Sequence, residues 1–152
     1  MIRFTIFGEP ASKANSRVLS TIGPKDAKRT ILRKGNKALA YEIDALMQIP
    51  PAARQRLDGP VRVTLRIFYA SERPDLDESI VLDVLQDRWR RSKPQNPIVP
   101  SQRVLVQHGV YRNDRQVREK HVFHGIDRKN PRTEVVVEPL QAQQADLLGA
   151  AA

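Results

Sequence analysis

Alternating apolar and polar residues predict the strands of this chain. Near its start, Ile2, Phe4 and Ile6 alternate with polar residues, a pattern typical of a half-buried strand. The longest alternation covers residues 61–70 and predicts the clearest strand. Three more strands are predicted at about 104–111, 116–124 and 133–138. This pattern therefore predicts a sheet that takes strands from most of the length of the chain.

Two segments have the period of a helix instead. Over residues 37–49, four apolar side chains fall on one stripe, and we expect the helix to bury them: Leu39, Ile43, Leu46 and Met47. A second helix is predicted from about Glu78 to Arg91, and its apolar residues are Ile80, Val81, Val84, Leu85 and, as a further candidate, Trp89. Trp89 could instead stack on a nucleic-acid base, although a tryptophan on an apolar helix face more often belongs to the core. Arginines at the end of this segment would complement the helix dipole. Each stripe could serve as core or as a dimer surface.

Between the first strand and the first helix, residues 11–36 are rich in Ser, Lys and Gly and predict a long basic loop. A short hairpin could form within it, near Arg17–Ile22 and Thr30–Leu32. The order of elements predicts an α/β (α+β) fold with a single mixed β-sheet and two helices packed on it. We expect one domain over residues 1–140 and a flexible tail over 141–152.

Charge narrows the class of partner. The chain has 152 residues, of which 26 are basic and 17 acidic, so its net charge is +9. Such a balance favours a polyanion such as nucleic acid, although a basic protein without special affinity is the alternative. Eight basic residues and one acid lie between Lys13 and Lys37. The candidate DNA contacts are Lys13, Arg17, Lys25, Lys28, Arg29, Arg73, Arg112, Arg115 and Lys120.

Several classes of protein are disfavoured. The chain has no cysteine, which excludes disulfides and thiolate metal sites and fits the reducing cytoplasm. No apolar run is long enough to span a bilayer, and no charged leader precedes an apolar segment, so we expect neither a membrane partner nor a signal peptide. His121 and His124 lie three residues apart on a predicted strand and face opposite sides, which disfavours a zinc site.

The candidate chemistry begins with Asp75-Leu76-Asp77, which follows the clearest strand and precedes a helix. In an extended segment, residues two apart point to the same side, and two such carboxylates repel unless a cation lies between them. Mg²⁺, or Mn²⁺, prefers such oxygen ligands. A solvated acid pair is the alternative. Asp114 is a further candidate ligand, although Asn113-Asp114 is also typical of a hairpin turn.

Three further motifs stand in a fixed order along the chain: Arg73–Asp77, Val81–Gln86 and Gly109–Val117. Together they resemble the RusA-type Holliday junction resolvases of bacteria and their phages. The segments Phe4–Pro10, Ser12–Arg17 and Pro131–Val137 are also similar to phage members of that family. The resemblance implies a homodimeric, Mg²⁺-dependent nuclease that nicks four-way DNA junctions symmetrically. It also implies that the essential aspartates are Asp75, Asp77 and Asp114.

The sequence departs from the family pattern at three places. Glu78 stands where the family usually has Asn, and could either add a metal ligand or cap the helix. Asn113 stands where the family often has an acid. The usual lysine one turn beyond the aspartates is missing, and the cations that could replace it are Lys93, Lys120 and Lys129. Two other functions therefore stay open: a non-catalytic basic DNA- or RNA-binding protein, and a nuclease for branched DNA in general.

Overall fold

The computed structural model describes residues 1–12, 17–93 and 100–140. Its strands are β1 Ile2–Phe7, β2 Arg17–Ile22, β3 Arg29–Lys34, β4 Val61–Tyr69, β5 Arg88–Arg91, β6 Arg103–Gln107, β7 Val117–Ile126 and β8 Arg132–Pro139. The two α-helices are α1 Asn36–Gln48 and α2 Ser79–Leu85, and short 3₁₀ turns cover Pro51–Ala53 and Asp114–Gln116. The predicted tail at 141–152 lies outside the described residues.

Four strands form the main sheet in the order β1-β8-β4-β7. β4 runs parallel to β7 and antiparallel to β8, which in turn is antiparallel to β1. The predicted α+β class, with a mixed sheet and two helices, is confirmed. Two separate hairpins, β2–β3 and β5–β6, form sheets of their own. The sequence allowed the first of them, whereas the pairing of β5 with β6 was not predicted. The strand predicted at 104–111 is therefore shorter than expected and pairs with β5 instead of joining the main sheet.

The core lies against one face of β4. Its alternate residues are each 2% exposed or less: Val61, Val63, Leu65, Ile67 and Tyr69. The apolar face that the sequence predicted for helix α2 is fully buried in the same core: Ile80, Val81, Val84 and Leu85. Because the strand alternates strictly, the residues between its buried positions face the other side and are mostly polar.

Helix α1 uses a different face from the one predicted. It buries Ala38, Tyr41 and Ala45, whereas Ile43 is 59% exposed and Met47 is 74% exposed. The prediction that Met47 lies in the core is therefore wrong. The two small alanines allow the helix to approach its neighbours closely, and a pattern that counts only large apolar side chains overlooks such a face.

Helix α2 ends six residues before the predicted boundary. Gln86 is extended, and the chain continues into β5, so the arginines near Trp89 lie on a strand and do not cap a helix. Trp89 is 41% exposed and does not belong to the core. Tertiary hydrogen bonds of Asp87, which is 6% exposed, end the helix. Its backbone N–H donates to the carbonyl of Arg112, and its Oδ1 accepts from the N–H of Gly109.

Gly109 is required where it stands. A Cβ atom there would lie 2.4 Å from the backbone carbon of Gln86 and 2.5 Å from the carbonyl oxygen of Leu85. The N–H of the next residue, Val110, donates to that same oxygen at 2.7 Å. Only glycine therefore permits the segment before the Asp114 turn to pack against the end of α2.

A largely buried carboxylate joins α1 to both hairpins. Glu42 accepts from Lys34 of β3 at 2.7 Å and from Arg88 of β5 at 2.6 Å. Burial alone would raise the pKa of Glu42, but the hydrogen bonds and positive charges of these two cations lower it below its ordinary value. Among the described residues, no helix is long and apolar enough to cross a membrane.

We predict a pH-dependent loss of stability in Glu42→Gln. A lowered folded-state pKa stabilises the protein above the ordinary value of 4.5, and this contribution disappears as the pH falls through the folded-state pKa. At pH 7 the variant should be less stable by about 1–2 kcal/mol, after allowance for solvent screening. Urea unfolding at pH 7 and pH 3 should show that the difference shrinks in acid. The exposed Glu72→Gln is the control, and an equal loss at both pH values would contradict the prediction.

Candidate active site

The connector between β4 and α2 is organised around the guanidinium group of Arg73. Its Nε and Nη2 donate to the two carboxylate oxygens of Asp75, each at 3.1 Å. The same group pairs with Glu9 at 3.2 Å, donates to the carbonyl of Pro10 at 3.0 Å and lies 5.1 Å from the ring centre of Tyr69. Arg73 therefore fixes the carboxylate of Asp75 and ties the connector to the end of β1.

Arg73 is also one of the predicted DNA contacts. Its side chain is only 13% exposed, and its donors are directed at protein oxygens. This geometry gives Arg73 a positioning role for Asp75. Contact with a phosphate would require it to leave these partners, so its binding to DNA stays a prediction.

Asp77 and Glu78 lie where α2 begins. Asp77 Oδ1 accepts from the backbone N–H of Ser79 at 2.9 Å, which satisfies one of the free donors at the start of the helix. Glu78 makes no side-chain cap and instead accepts from Lys120 of β7 at 2.5 Å. This hydrogen bond lowers the pKa of Glu78, although the nearby charge of Asp77 acts against it. Three carboxylates of the connector, those of Asp75, Asp77 and Glu78, thus each have a protein partner.

Asp114 begins a capped 3₁₀ turn, in line with the turn that Asn113-Asp114 indicated. The side chain of Asn113 accepts from the backbone N–H of Arg115 at 3.1 Å, and Gln116 Oε1 accepts from the N–H of Asn113 at 3.2 Å. Gln116 also donates to the carbonyl of Gly59 at 2.7 Å, which anchors the turn beside the start of β4. The turn therefore presents Asp114, which is exposed, on a rigid support.

A second pair of carboxylates lies near Tyr111. Its hydroxyl donates to the carbonyl of Leu82 at 3.0 Å. Burial, and then the negative charges of Asp114 and Asp83, raise the pKa of this hydroxyl well above its usual range. The structure thus brings Asp83 and Asp114 to one neighbourhood. Asp83 belongs to a motif that carried the family resemblance, but it was not among the predicted site residues.

The predicted aspartates do not form one compact cluster in this structure. Across the described residues, no three His, Asp or Glu side chains are arranged to hold a metal ion. Asp75 and Asp77 share the connector, whereas Asp114 lies on the turn before β7. The donor chemistry of Asp75 and Asp77 still fits Mg²⁺, which typically takes one or two carboxylates and keeps several waters. Arg73 occupies both oxygens of Asp75, so a metal ion would have to compete with it.

The predicted basic loop contains a hairpin, β2–β3. Four of its candidate DNA contacts are exposed: Arg17, Lys25, Lys28 and Arg29. Lys13 lies outside the described residues. The strands pair with each other from Arg17↔Lys34 to Ile22↔Arg29, so the hairpin presents its cations on a defined scaffold. The hairpin that the sequence allowed near these positions is confirmed.

The three remaining candidate contacts differ in their environment. Arg112 pairs with Asp58 at 2.7 Å on an exposed surface, and Lys120 pairs with Glu78. Of the three lysines that could replace the missing family lysine, Lys120 is the one that contacts a candidate site carboxylate. Arg115 is exposed and has no acidic partner among the residues that the structure describes. Arg115 is therefore the most available of these cations for a phosphate.

A cleft lined by Arg56, Trp89, Arg103, Arg112 and Arg115, which we term the arginine cleft, adjoins the Asp114 turn. Its volume is about 520 Å³. The cleft was not predicted, because the sequence favoured a buried position on a helix for Trp89 over the alternative that it stacks on a base. The segment Arg88-Trp89-Arg90-Arg91 did indicate an exposed tryptophan, because a buried tryptophan is rarely flanked by arginines.

The histidines contribute to no metal site in the described ranges. His124 stacks on Tyr69 with ring centres 6.0 Å apart, and His121 lies 4.0 Å from a carboxylate oxygen of Glu119. In the register of β4 and β7, His124 lies opposite Ile67, which is buried, and His121 lies opposite Thr64 on the polar face. Their side chains therefore point to opposite faces, as the sequence predicted.

No protein-family model matches this chain, and no curated protein matches it at a significant level.

Proposed function

We propose that this protein is a Mg²⁺-dependent endonuclease that cuts branched DNA, in particular four-way junctions, by paired symmetric nicks. The observation that carries the proposal is the position of Asp75 and Asp77, half-buried on the connector that follows the central strand β4. Exposed cations on the β2–β3 hairpin and in the arginine cleft supply surfaces suited to a polyanion. The resemblance to RusA-type resolvases, in a bacterial or phage setting, supports the same reaction.

Each residue has a definable role in this proposal. Asp75 and Asp77 would hold Mg²⁺, which lowers the pKa of a bound water and stabilises charge on the phosphate during hydrolysis. Arg73 orients Asp75 and balances its charge before DNA binds. Lys120 does the same for Glu78 and would stabilise negative charge beside this carboxylate during the reaction. The resemblance would make Asp114, on the turn before β7, a further ligand of the metal ion.

One observation favours a second function, a DNA- or RNA-binding protein without catalysis. Each of the three candidate carboxylates on the connector has a protein partner: Arg73 for Asp75, the start of α2 for Asp77, and Lys120 for Glu78. Such pairs can be purely structural. Cleavage of a synthetic four-way junction with and without Mg²⁺ separates the two functions, and a panel of flaps and three-way junctions tests for a broader nuclease.

We predict that Asp77→Asn abolishes cleavage and preserves binding. Asparagine can still cap α2 through its side-chain oxygen, so the fold should be retained. Cleavage should fall by more than about 100-fold, because even outer-shell partners of a metal ligand are typically worth roughly 10–100-fold. The measurement is the rate of paired nicking of a labelled junction, with binding followed by gel shift in Ca²⁺.

Asp44→Asn is the matched control, because Asp44 is exposed on α1 and is not one of the proposed site residues. It should cut at the wild-type rate. Full activity in Asp77→Asn would overturn the assignment of the site. Wild-type protein that binds the junction tightly but never cuts it, at any Mg²⁺ or Mn²⁺ concentration, would favour the non-catalytic function.

We predict that the β2–β3 hairpin binds phosphates. The triple variant Lys25→Ala, Lys28→Ala and Arg29→Ala should bind junctions more weakly, and the slope of log K against log salt should fall by about one for each cation that binds a phosphate in the wild type. Fluorescence anisotropy over a series of salt concentrations measures this slope. Arg128→Ala, at an exposed position beyond β7, is the control. An unchanged slope in the triple variant would place the phosphate-binding cations elsewhere.

We predict that the active species is a homodimer, because paired nicks on opposed strands require two active sites. The candidate surface is the exposed apolar stripe of α1, formed by Leu39, Ile43 and Met47. Met47→Glu would place an unpaired charge in this surface and should shift sedimentation towards the monomer. Leu19→Glu, at a position 71% exposed on β2, is the control. A Met47→Glu dimer as stable as the wild type would exclude this surface.

A further inference from the structure

The arginine cleft is lined by residues other than the connector carboxylates but directly adjoins the Asp114 turn. Asn113 and Arg115, the two neighbours of Asp114 in the chain, both line it. Its volume of about 520 Å³ lies within the range of sites that hold small ligands or parts of larger ones. Whatever binds in the cleft would therefore lie next to a residue that the proposed reaction uses.

The charges in the cleft are only partly balanced. Arg56 pairs at 2.8 Å with Asp87, whose side chain is 1% exposed, and Arg112 pairs with the exposed Asp58. Arg103 and Arg115 have no acidic partner in the described part of the chain. The cleft thus presents two uncompensated guanidinium groups, which are well suited to bind phosphate oxygens through paired hydrogen bonds.

Trp89 adds a second kind of recognition. Its indole is 41% exposed in the same cleft, and the guanidinium of Arg103 lies 4.8 Å from the ring centre. An exposed indole is not needed to bind the phosphates of a duplex, whose bases are already paired and stacked. Aromatic rings combined with arginines are instead typical of surfaces that bind single strands, because every unpaired base has a face that can stack.

We propose that the arginine cleft binds an unpaired nucleotide of single-stranded DNA, with its base stacked on Trp89 and its phosphates on Arg103 and Arg115. This inference rests on the proposed function only in taking DNA as the polyanion, and it does not require that the protein cleaves DNA. Branched DNA that opens at its branch point exposes unpaired bases there. Binding of such a base would position the adjoining strand beside Asp114.

Because Trp89 is the one tryptophan of the chain, its fluorescence reports directly on the cleft. The full chain is titrated, without divalent metal, with oligothymidylate, with an abasic oligonucleotide of equal length and with a blunt duplex. We expect oligothymidylate to quench the fluorescence. The abasic strand should bind through its phosphates with little quenching, since it has no bases to stack, and the duplex should behave like the abasic strand.

Variants separate stacking from charge. Trp89→Ala should weaken binding of oligothymidylate by roughly 5- to 150-fold, the range typical for removal of one stacked base, whereas Trp89→Phe should recover most of it. Arg115→Ala should reduce the salt slope by about one, while Arg128→Ala should not. Anisotropy of a labelled oligonucleotide gives these affinities, and circular dichroism checks the fold of each variant.

Two results would overturn the inference: equal quenching by abasic and thymidylate strands, or wild-type affinity in a folded Trp89→Ala. If Trp89→Ala does not fold, the quenching experiment on the wild type and the affinity of Trp89→Phe still decide. Failure here differs from failure of the proposed function. A protein that cuts junctions without quenching contradicts only the stacking site, and one that quenches but never cuts contradicts only the nuclease.

Discussion

The buried carboxylate of Asp87 holds together the segments that surround the candidate site. One oxygen accepts from the N–H of Gly109, the other pairs with Arg56, and the residue's own N–H donates to the carbonyl of Arg112. A buried charge persists only when its partners satisfy it, so these bonds are jointly required. They end α2, start β5 and place the Asp114 turn. The arginine cleft is the surface that results.

Charge balance is the second organising constraint. Asp75, Asp77 and Glu78 would repel one another if left alone on the connector. The structure resolves this with Arg73 and Lys120 and with the free donors at the start of α2. A divalent ion would supply the same compensation. The protein cations and a divalent ion are therefore alternative ways to neutralise these carboxylates. The proposed metal site requires Arg73 to release Asp75 and bind another partner.

Prediction from the sequence was accurate where the local signal is strong. Strand β4 was predicted to within one residue, because each alternate side chain is buried. Helix α2 was predicted in type and apolar face, but its end was wrong, since no glycine or proline marks it. What stops it is the contact of Asp87 with Gly109, 22 residues away. For α1 the limits were correct to within one residue and the face was wrong, because alanines and a tyrosine fill the core there.

By itself, the sequence determined the two helices and the four strands of the main sheet, the basic character of the chain and the presence of two aspartates after the central strand. Periodicity and residue type carry that information locally. Only the tertiary structure decided that Arg73 binds Asp75, that Asp83 and Asp114 both lie near Tyr111, and that Trp89 lines the arginine cleft instead of the core. Each of these contacts joins segments that are distant in the sequence. Buried charges and close backbone approaches determine which segments come together, and local periodicity does not encode them.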